Sequence, residues 1–268
     1  MRHHSLTLVV APHPDDEVLG AGIWMYRQPS ECVHIVHLTD GSPRDLKDAE
    51  RLGFATRQAY AAVRRREFFG ALEVLEIPPS RCTAFGVADQ EAFLNLTTII
   101  DRLASLVSQL CPDRILSPAY EGGHPDHDAA AFAVAVLRNR RPDFDHLEFP
   151  LYHSDKDGQM VTGQFLAAPF PIPEEVLMLS PAERNLKSAM LACFRTQQEI
   201  LSRFSLECER FRIAPAYDFT LPPHAGPLLY ERWGWSIHGA AWREQARRAL
   251  LLKVPARDLL LSTPGTTD

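Results

Sequence analysis

The chain has 268 residues, of which 46% are hydrophobic, and its formal net charge is −6. This length and apolar content predict one domain over residues 1–268, with a core at 1–150 and a C-terminal elaboration at 151–268 that shapes a substrate cleft. No block of like charge occurs, so we expect neither nucleic acid nor a membrane as partner, and a small-molecule substrate is favoured. The composition leaves a homo-oligomer open.

The cysteines argue against both a disulfide framework and a thiolate metal site. They are odd in number, widely spaced and without any C-x-x-C pair: Cys32, Cys82, Cys111, Cys193 and Cys208. The N-terminal apolar run is too short for a secretory signal, and no window of eighteen apolar residues exists. We therefore expect a cytoplasmic protein with reduced thiols.

The first predicted element is a buried strand at 6–10, which the prolines at 12 and 14 end. The apolar pattern at 18–26 predicts a helix with an acidic first turn. The intervening turn therefore gathers one imidazole and three carboxylates, from His13, Asp15, Asp16 and Glu17. A solvated, acidic helix start would explain the carboxylates equally well. Ligands of open α/β sheets nevertheless bind at this edge.

The middle of the chain alternates between predicted strands and helices. We expect strands at 32–38, 72–77 and 114–117, helices at 50–72 and 93–110, a T-D-G turn at 39–41 and a loop at 85–90. This order predicts a Rossmann-like, mostly parallel sheet with helices on both faces. No G-x-G-x-x-G follows the first strand, which argues against a nucleotide cofactor. His34 and His37 would point to opposite faces of their strand, which argues against shared metal ligation.

A second H-P-D turn lies in Y-E-G-G-H-P-D-H-D at 120–128, between the strand at 114–117 and an apolar helix at 129–137. Histidine and aspartate are suitable ligands for a divalent metal of zinc type, and a catalytic zinc takes three protein ligands. The spacing allows His13, Asp16 and His127 to bind one ion. Asp15 and His124 would then be free for proton transfer, and Asp126 could orient an imidazole.

The segments A-P-H-P-D-D-E at 11–17 and G-H-P-D-H at 123–127 resemble the two motifs of the LmbE/PIG-L family of zinc-dependent N-deacetylases. The resemblance covers roughly residues 6–137, and Pro12 departs from the usual pattern. It implies one Zn²⁺ per chain and an N-acetylated small-molecule substrate, of N-acetylglucosamine type. Asp15 would be the general base and His124, as an imidazolium oriented by Asp126, would stabilise the oxyanion.

The resemblance also implies substrate contacts. Arg64 and Glu67 match an R-x-x-E pair whose arginine points into the cleft, although a solvated basic helix face is the competing interpretation. Asp40 of the T-D-G turn and Tyr120 of the second motif are further candidates. Lys187 and Gln197 loosely resemble family positions near the cleft mouth.

The C-terminal part predicts strands at 147–153 and 163–170, a helix capped by Ser180 and reaching about 194, and further helix over 196–211. The Pro- and aromatic-rich segment 214–235 would fold over the cleft or simply pack on the core. A last helix is expected at 242–252 and a frayed tail at 262–268.

Two alternatives to the deacetylase remain open. One retains the metal site in an amidase that acts on a thiol conjugate or a lipopeptide. The other is a structural metal site without activity, but such sites are normally closed by four ligands, often cysteines, and none of the five cysteines lies near either motif.

Overall fold

The computed structural model describes residues 5–167 and 172–253. Its main feature is a seven-stranded sheet in the order β3-β2-β1-β4-β5-β9-β8. The first five strands in chain order are parallel, and β8 and β9 add an antiparallel extension at one edge. The strands are β1 (Thr7–Ala11), β2 (Val33–Pro43), β3 (Cys82–Asp89), β4 (Arg114–Pro118), β5 (Asp145–Phe149), β8 (Glu175–Met178) and β9 (Cys208–Ile213); β6 (Tyr152–Ser154) and β7 (Met160–Thr162) form a separate hairpin.

Helices cover both faces of the sheet, as the alternation of side chains along β1 shows. Leu8 and Val10 pack in a cluster with residues of α4, α5 and α9, whereas Val9 packs on the other face with α1, α3 and α6. The Rossmann-like prediction is thereby confirmed. The helices described are α1 (Asp16–Tyr26), α2 (Lys47–Arg51), α3 (Arg57–Leu75), α4 (Leu96–Leu110), α5 (Pro125–Arg140), α6 (Pro181–Ala192), α7 (Gln198–Leu201), α8 (Leu229–Arg232) and α9 (Gly239–Lys253).

The order of the strands places the two H-P-D turns side by side. β1 and β4 are hydrogen-bonded neighbours, yet β1 leads to β2 on one side and β4 leads to β5 on the other. Connections that diverge from adjacent parallel strands leave a crevice beyond their carboxyl ends, where ligands of open α/β sheets bind. The turns after β1 and β4 both lie at this crevice.

Several of the predicted elements are wrong. The expected strand at 72–77 is the last turn of α3, which ends in the left-handed residue Glu76, and the third strand is β3 at 82–89, across the predicted loop at 85–90. The helix expected over 196–211 ends at Leu201 and gives way to β9. The capping box of Ser180 and Glu183 is confirmed. Residues 163–167 form no strand, and 168–170 and the predicted tail at 262–268 lie outside the described residues.

A buried ion pair holds a break in α1. At Ala21 the backbone leaves helical geometry (φ −142°, ψ 21°). The amides of Ile23 and Trp24 donate to Glu209, and Lys187 donates both to the carbonyl of Leu19 and to Glu209. Lys187, expected near the cleft mouth, is therefore an interior residue, 2% exposed. Within the two described ranges, no helix combines the length and hydropathy needed to cross a membrane.

Candidate active site

Asp16 connects the imidazoles of the two H-P-D turns. Its Oδ2 accepts the backbone N–H of His13 at 2.9 Å and lies 3.0 Å from His13 Nδ1. Its Oδ1 lies 3.4 Å from His127 Nε2. One buried carboxylate thus lies between two residues 114 positions apart in sequence (127 − 13).

Three imidazoles cluster around this carboxylate. The ring centroids of His13 and His124 are 4.4 Å apart, those of His124 and His127 5.0 Å, and those of His13 and His127 5.4 Å. One nitrogen of each ring lies within 4.8 Å of one nitrogen of each of the others. A second, overlapping group of this kind joins His13 and His124 to Asp89 and Asp126.

Asp126 orients His13, whereas the sequence had suggested His124. The Asp126 carboxylate accepts the backbone N–H groups of Gln90 and Ala92 at 2.7 and 2.9 Å, and its Oδ2 lies 3.3 Å from His13 Nε2. A carboxylate on the far nitrogen of a ligating histidine fixes the tautomer and the orientation of the ring. With Nε2 facing Asp126, the other ring nitrogen of His13, Nδ1, faces Asp16 Oδ2.

His124 caps helix α5. Its Nδ1 accepts the backbone N–H of Asp126 at 3.1 Å, so the neutral ring must carry its proton on Nε2. Burial, with His13 and His127 nearby, holds the pKa of His124 well below its ordinary value despite the opposing effect of Asp89. This environment favours a neutral ring that donates from Nε2 over the predicted imidazolium.

Asp89 is a site residue that the sequence analysis missed. It ends β3, and its Oδ1 lies 3.1 Å from His13 Nε2 and 3.5 Å from His124 Nε2. Burial opposes ionisation of Asp89, but His13 outweighs it and lowers the pKa of the carboxyl. The signal was present, because an aspartate at the carboxyl end of a parallel strand lies at the edge where the other site residues lie.

Asp15 is held by Arg64 in a conformation that is rare for non-glycine residues. Its φ is 140°, and this kind of local strain is concentrated at functional sites. The guanidinium of Arg64 donates to Asp15 Oδ2 at 3.0 Å and to the carbonyls of Pro14 and Gly41 at 2.9 and 2.8 Å. Burial raises the pKa of Asp15, although Arg64 acts in the opposite direction.

These residues lie at the base of a cavity of about 450 Å³. Aromatic rings form one part of its lining, and charged side chains from α2 and the region of α7 form another. Trp233 and Trp235, from the aromatic-rich segment, contribute to the aromatic wall. Gln197 also lines the cavity, as expected. The lining residues that bear on function are His13, Asp15, Asp16, Arg64, Asp89, His124 and His127 at the base, Tyr152, Trp233 and Trp235 in the aromatic wall, and Asp48, Arg51, Glu199 and Arg203 at the charged rim.

Two predicted substrate contacts lie elsewhere. Asp40 pairs with Arg57 at 2.6 Å and lines a separate cavity of about 200 Å³. Tyr120 is buried among Tyr217, Phe219 and Trp242, and its hydroxyl donates to the carbonyl of Leu221. Neither side chain lines the main cavity, so the geometry does not support direct contact with a substrate bound there.

The base of the cavity has the donor set of a divalent metal site. Nitrogen and carboxylate oxygen ligands without thiolates are typical of catalytic zinc and related ions. Asp89 Oδ1 lies 3.1 Å from His13 Nε2 but makes no well-aligned hydrogen bond, and the buried His127 Nδ1 has no hydrogen-bond partner among the described residues. Such unpaired buried polar atoms are costly, and a bound cation with its water would compensate for them. The residues therefore fit the metal that the sequence predicted.

The sequence is similar to those of a known protein family. The family "PIG-L: GlcNAc-PI de-N-acetylase" matches residues 8–137. A relative from Bacillus anthracis, described as a probable N-acetyl-alpha-D-glucosaminyl L-malate deacetylase 2, is 31% identical over 169 residues, which cover 59% of this chain and 72% of the relative. The protein of the same description from Bacillus cereus is 28% identical over 161 residues, which cover 59% and 71% of the two chains.

Solved structures share the fold at lower identity. The A40926 pseudoaglycone deacetylase aligns with a TM-score of 0.61 and 18% identity, covering 80% of this chain and 99% of its own. An N,N'-diacetylchitobiose deacetylase from Pyrococcus horikoshii aligns with a TM-score of 0.57 and 18% identity, covering 84% and 89%. With both H-P-D turns inside the matched region, the chain belongs to the PIG-L family of deacetylases.

Proposed function

We propose that the protein is a zinc-dependent hydrolase that removes the acetyl group from an N-acetylated sugar derivative. The observation that carries the proposal is the meeting of His13, Asp16 and His127 at the base of a cavity that also holds Asp15. The sugar component is supported by the names of the curated relatives, which are described as probable N-acetyl-alpha-D-glucosaminyl L-malate deacetylases.

We assign His13, Asp16 and His127 as the metal ligands. Asp16 lies against both imidazoles, and Asp126 accepts from the far nitrogen of His13, as a carboxylate behind a metal-bound histidine commonly does. A bound Zn²⁺ would act as a Lewis acid toward the amide carbonyl and would lower the pKa of a water molecule toward neutrality.

We assign Asp15 as the general base. It lies next to a ligand in sequence and lines the cavity, and Arg64 fixes the orientation of its carboxylate through Oδ2. Burial raises the pKa of Asp15 toward the range in which a carboxylate accepts a proton efficiently near neutral pH. Asp15 would take the proton of the attacking water and return it to the departing amine.

We assign His124 to the oxyanion. Its Nδ1 is occupied by the Asp126 amide, which leaves Nε2–H to donate to the negatively charged oxygen that develops as the amide carbonyl is attacked. Asp89, which faces the same nitrogen, would hold the ring in place before substrate binds.

Replacing Asp15 with Asn tests this assignment, because asparagine tolerates positive φ and preserves the shape of the side chain. The D15N variant should bind zinc as the wild type does and should release acetate from N-acetylglucosamine derivatives at least ~10³-fold more slowly. D48N removes a carboxylate from the cavity rim and should retain most of the activity. Retained activity in D15N would contradict the assignment.

A substrate panel that includes N-acetylated thiol conjugates and lipopeptides, with product release measured for each, would separate the deacetylase from the amidase alternative.

A further inference from the structure

Three aromatic rings form a continuous wall from the metal-site histidines to the cavity mouth. Tyr152 packs edge-on against His127, with ring centroids 5.0 Å apart, and Trp235 packs edge-on against His124, also at 5.0 Å. Trp233 lies 4.9 Å from Trp235 and 5.7 Å from Tyr152, farther from the histidines. All three rings line the main cavity.

Trp233 and Trp235 differ from Trp242, which is buried in the hydrophobic core. Trp242 is 1% exposed and its indole N–H donates to the carbonyl of Pro125, whereas Trp233 is 38% exposed. The indole N–H groups of Trp233 and Trp235 donate to no acceptor in the part of the chain that the structure describes. An indole that lines a cavity and keeps its N–H group unpaired is suited to binding a ligand that is both flat and hydroxylated.

We propose, on the basis of the proposed function, that Trp233 and Trp235 form the subsite for the leaving-amine part of the substrate and require that part to present a flat apolar face. Trp235, beside His124, would pack on the C–H face of the sugar ring that carries the acetamido group. Trp233, nearer the mouth, would pack on an apolar group attached to that ring, such as an aryl aglycone.

The position of these residues in the chain supports a role in specificity. Both follow α8, well outside residues 8–137, which match the family and contain the metal and proton-transfer residues. The subsite can therefore vary without altering the residues that act on the amide. Loops placed on a rigid scaffold commonly carry such selectivity.

The test compares three substrates of the zinc-loaded enzyme: N-acetylethanolamine, which has no ring, N-acetylglucosamine, and its phenyl glycoside. In W235A, kcat/KM should fall roughly tenfold more for N-acetylglucosamine than for N-acetylethanolamine. In W233A, the preference for the phenyl glycoside over the free sugar should fall roughly fivefold or more. W235F should retain most of the wild-type selectivity, and W24F, which changes a tryptophan packed on Phe211 outside the cavity, should retain all of it.

A binding measurement provides a readout independent of turnover. Calorimetric titration with the product amine, phenyl glucosaminide, should show weaker binding to W233A and W235A than to W24F. Equal losses of kcat/KM for all three substrates, with unchanged binding of the product amine, would overturn the proposal even if acetate release continued. Absence of acetate release from every substrate by the wild-type enzyme would instead contradict the proposed function.

Discussion

The Nε2 atom of His13 and the Oδ2 atom of Asp126 lie 3.3 Å apart, which joins the turn after β1 to the turn after β4. The same Asp126 carboxylate accepts two backbone amides at the end of β3, those of Gln90 and Ala92. The ends of three parallel strands of one sheet, β1, β3 and β4, are thus tied together by one buried acid, which makes Asp126 a residue that positions the ligand set.

Replacing Asp126 with Asn should therefore weaken metal binding more than it changes the fold. Asparagine retains one carbonyl oxygen but turns donor hydrogens toward the other groups that the carboxylate accepted, so His13 loses its fixed orientation. We expect zinc affinity, measured by competition with a chelator, to fall about 10- to 100-fold.

D128N is the matched control for D126N. Asp128 accepts the amides of Glu121 and Gly122, and burial raises its pKa to about 8, so asparagine resembles the neutral acid present at pH 7. Equal losses in D126N and D128N would contradict the positioning role.

Arg64 should be needed for turnover and dispensable for the metal. Its guanidinium makes three hydrogen bonds that fix Asp15 and its turn, and a lysine ammonium cannot reproduce that planar fork. We expect kcat of R64K to fall about 100-fold with zinc content unchanged, because small displacements of a catalytic group are costly.

The neighbouring Arg65 provides the control for that measurement. It packs over Phe69 and lines the smaller cavity, so R65K should retain near wild-type kcat. If R64K and R65K behave alike, Arg64 does not position Asp15.

The sequence predicted the strands that lead into the two H-P-D turns better than the elements farther along the chain. The H-P-D turns follow short apolar strands, so local pattern alone indicated β1, β4 and the residues between them and their helices. β3 was missed because it is a half-exposed edge strand, whose structure depends on pairing with the neighbouring strand and not on an alternation of apolar and polar residues. Asp89, its last residue, was missed with it.

β9 was missed for a different reason. Its buried charges, Glu209 and Arg212, pair with Lys187 and Glu148 from distant parts of the chain. Charged residues at buried strand positions resemble a polar helix until their partners are known, and those partners cannot be read from the local sequence.

The Lys187–Glu209 pair should contribute strongly to stability. Both side chains are almost fully buried, at 2.7 Å from each other, and removal of one partner leaves an uncompensated charge at the break in α1. We expect K187M to lower the free energy of unfolding in urea by about 3–5 kcal/mol, and K187M/E209Q to lose less than the sum of the single variants.

The exposed pair of Arg184, from α6, and Glu207, which directly precedes β9, is the control. R184M should cost at most about 1 kcal/mol. Additive losses in the double variant K187M/E209Q would show that Lys187 and Glu209 do not stabilise α1 as a pair.

His146 should make the protein less stable in mild acid. Burial lowers its pKa from 6.5 to about 3, and its Nε2 lies 2.9 Å from Ser117 Oγ. In the unfolded chain the imidazole of His146 binds a proton as the pH falls through 6.5, whereas in the folded protein it does so only near pH 3. The free energy of unfolding is therefore unaffected by His146 above pH 6.5 and decreases as the pH falls from 6.5 toward 3. Between pH 7 and pH 5 the loss amounts to about 2 kcal/mol.

H146Q removes this titration. In urea unfolding with a chelator present, so that metal release does not contribute, the stability of H146Q should fall by about 2 kcal/mol less than that of the wild type between these two pH values. Identical pH dependence in the two proteins would mean that His146 is not buried as a neutral ring.

The most direct test of the central claim is the anomalous diffraction of a zinc-loaded crystal at the zinc absorption edge. The account predicts one strong peak per chain, about 2.0–2.2 Å from a nitrogen of His13, an oxygen of Asp16 and a nitrogen of His127. A peak centred instead on His124 and Asp89, or separate ions at the two H-P-D turns, would contradict it.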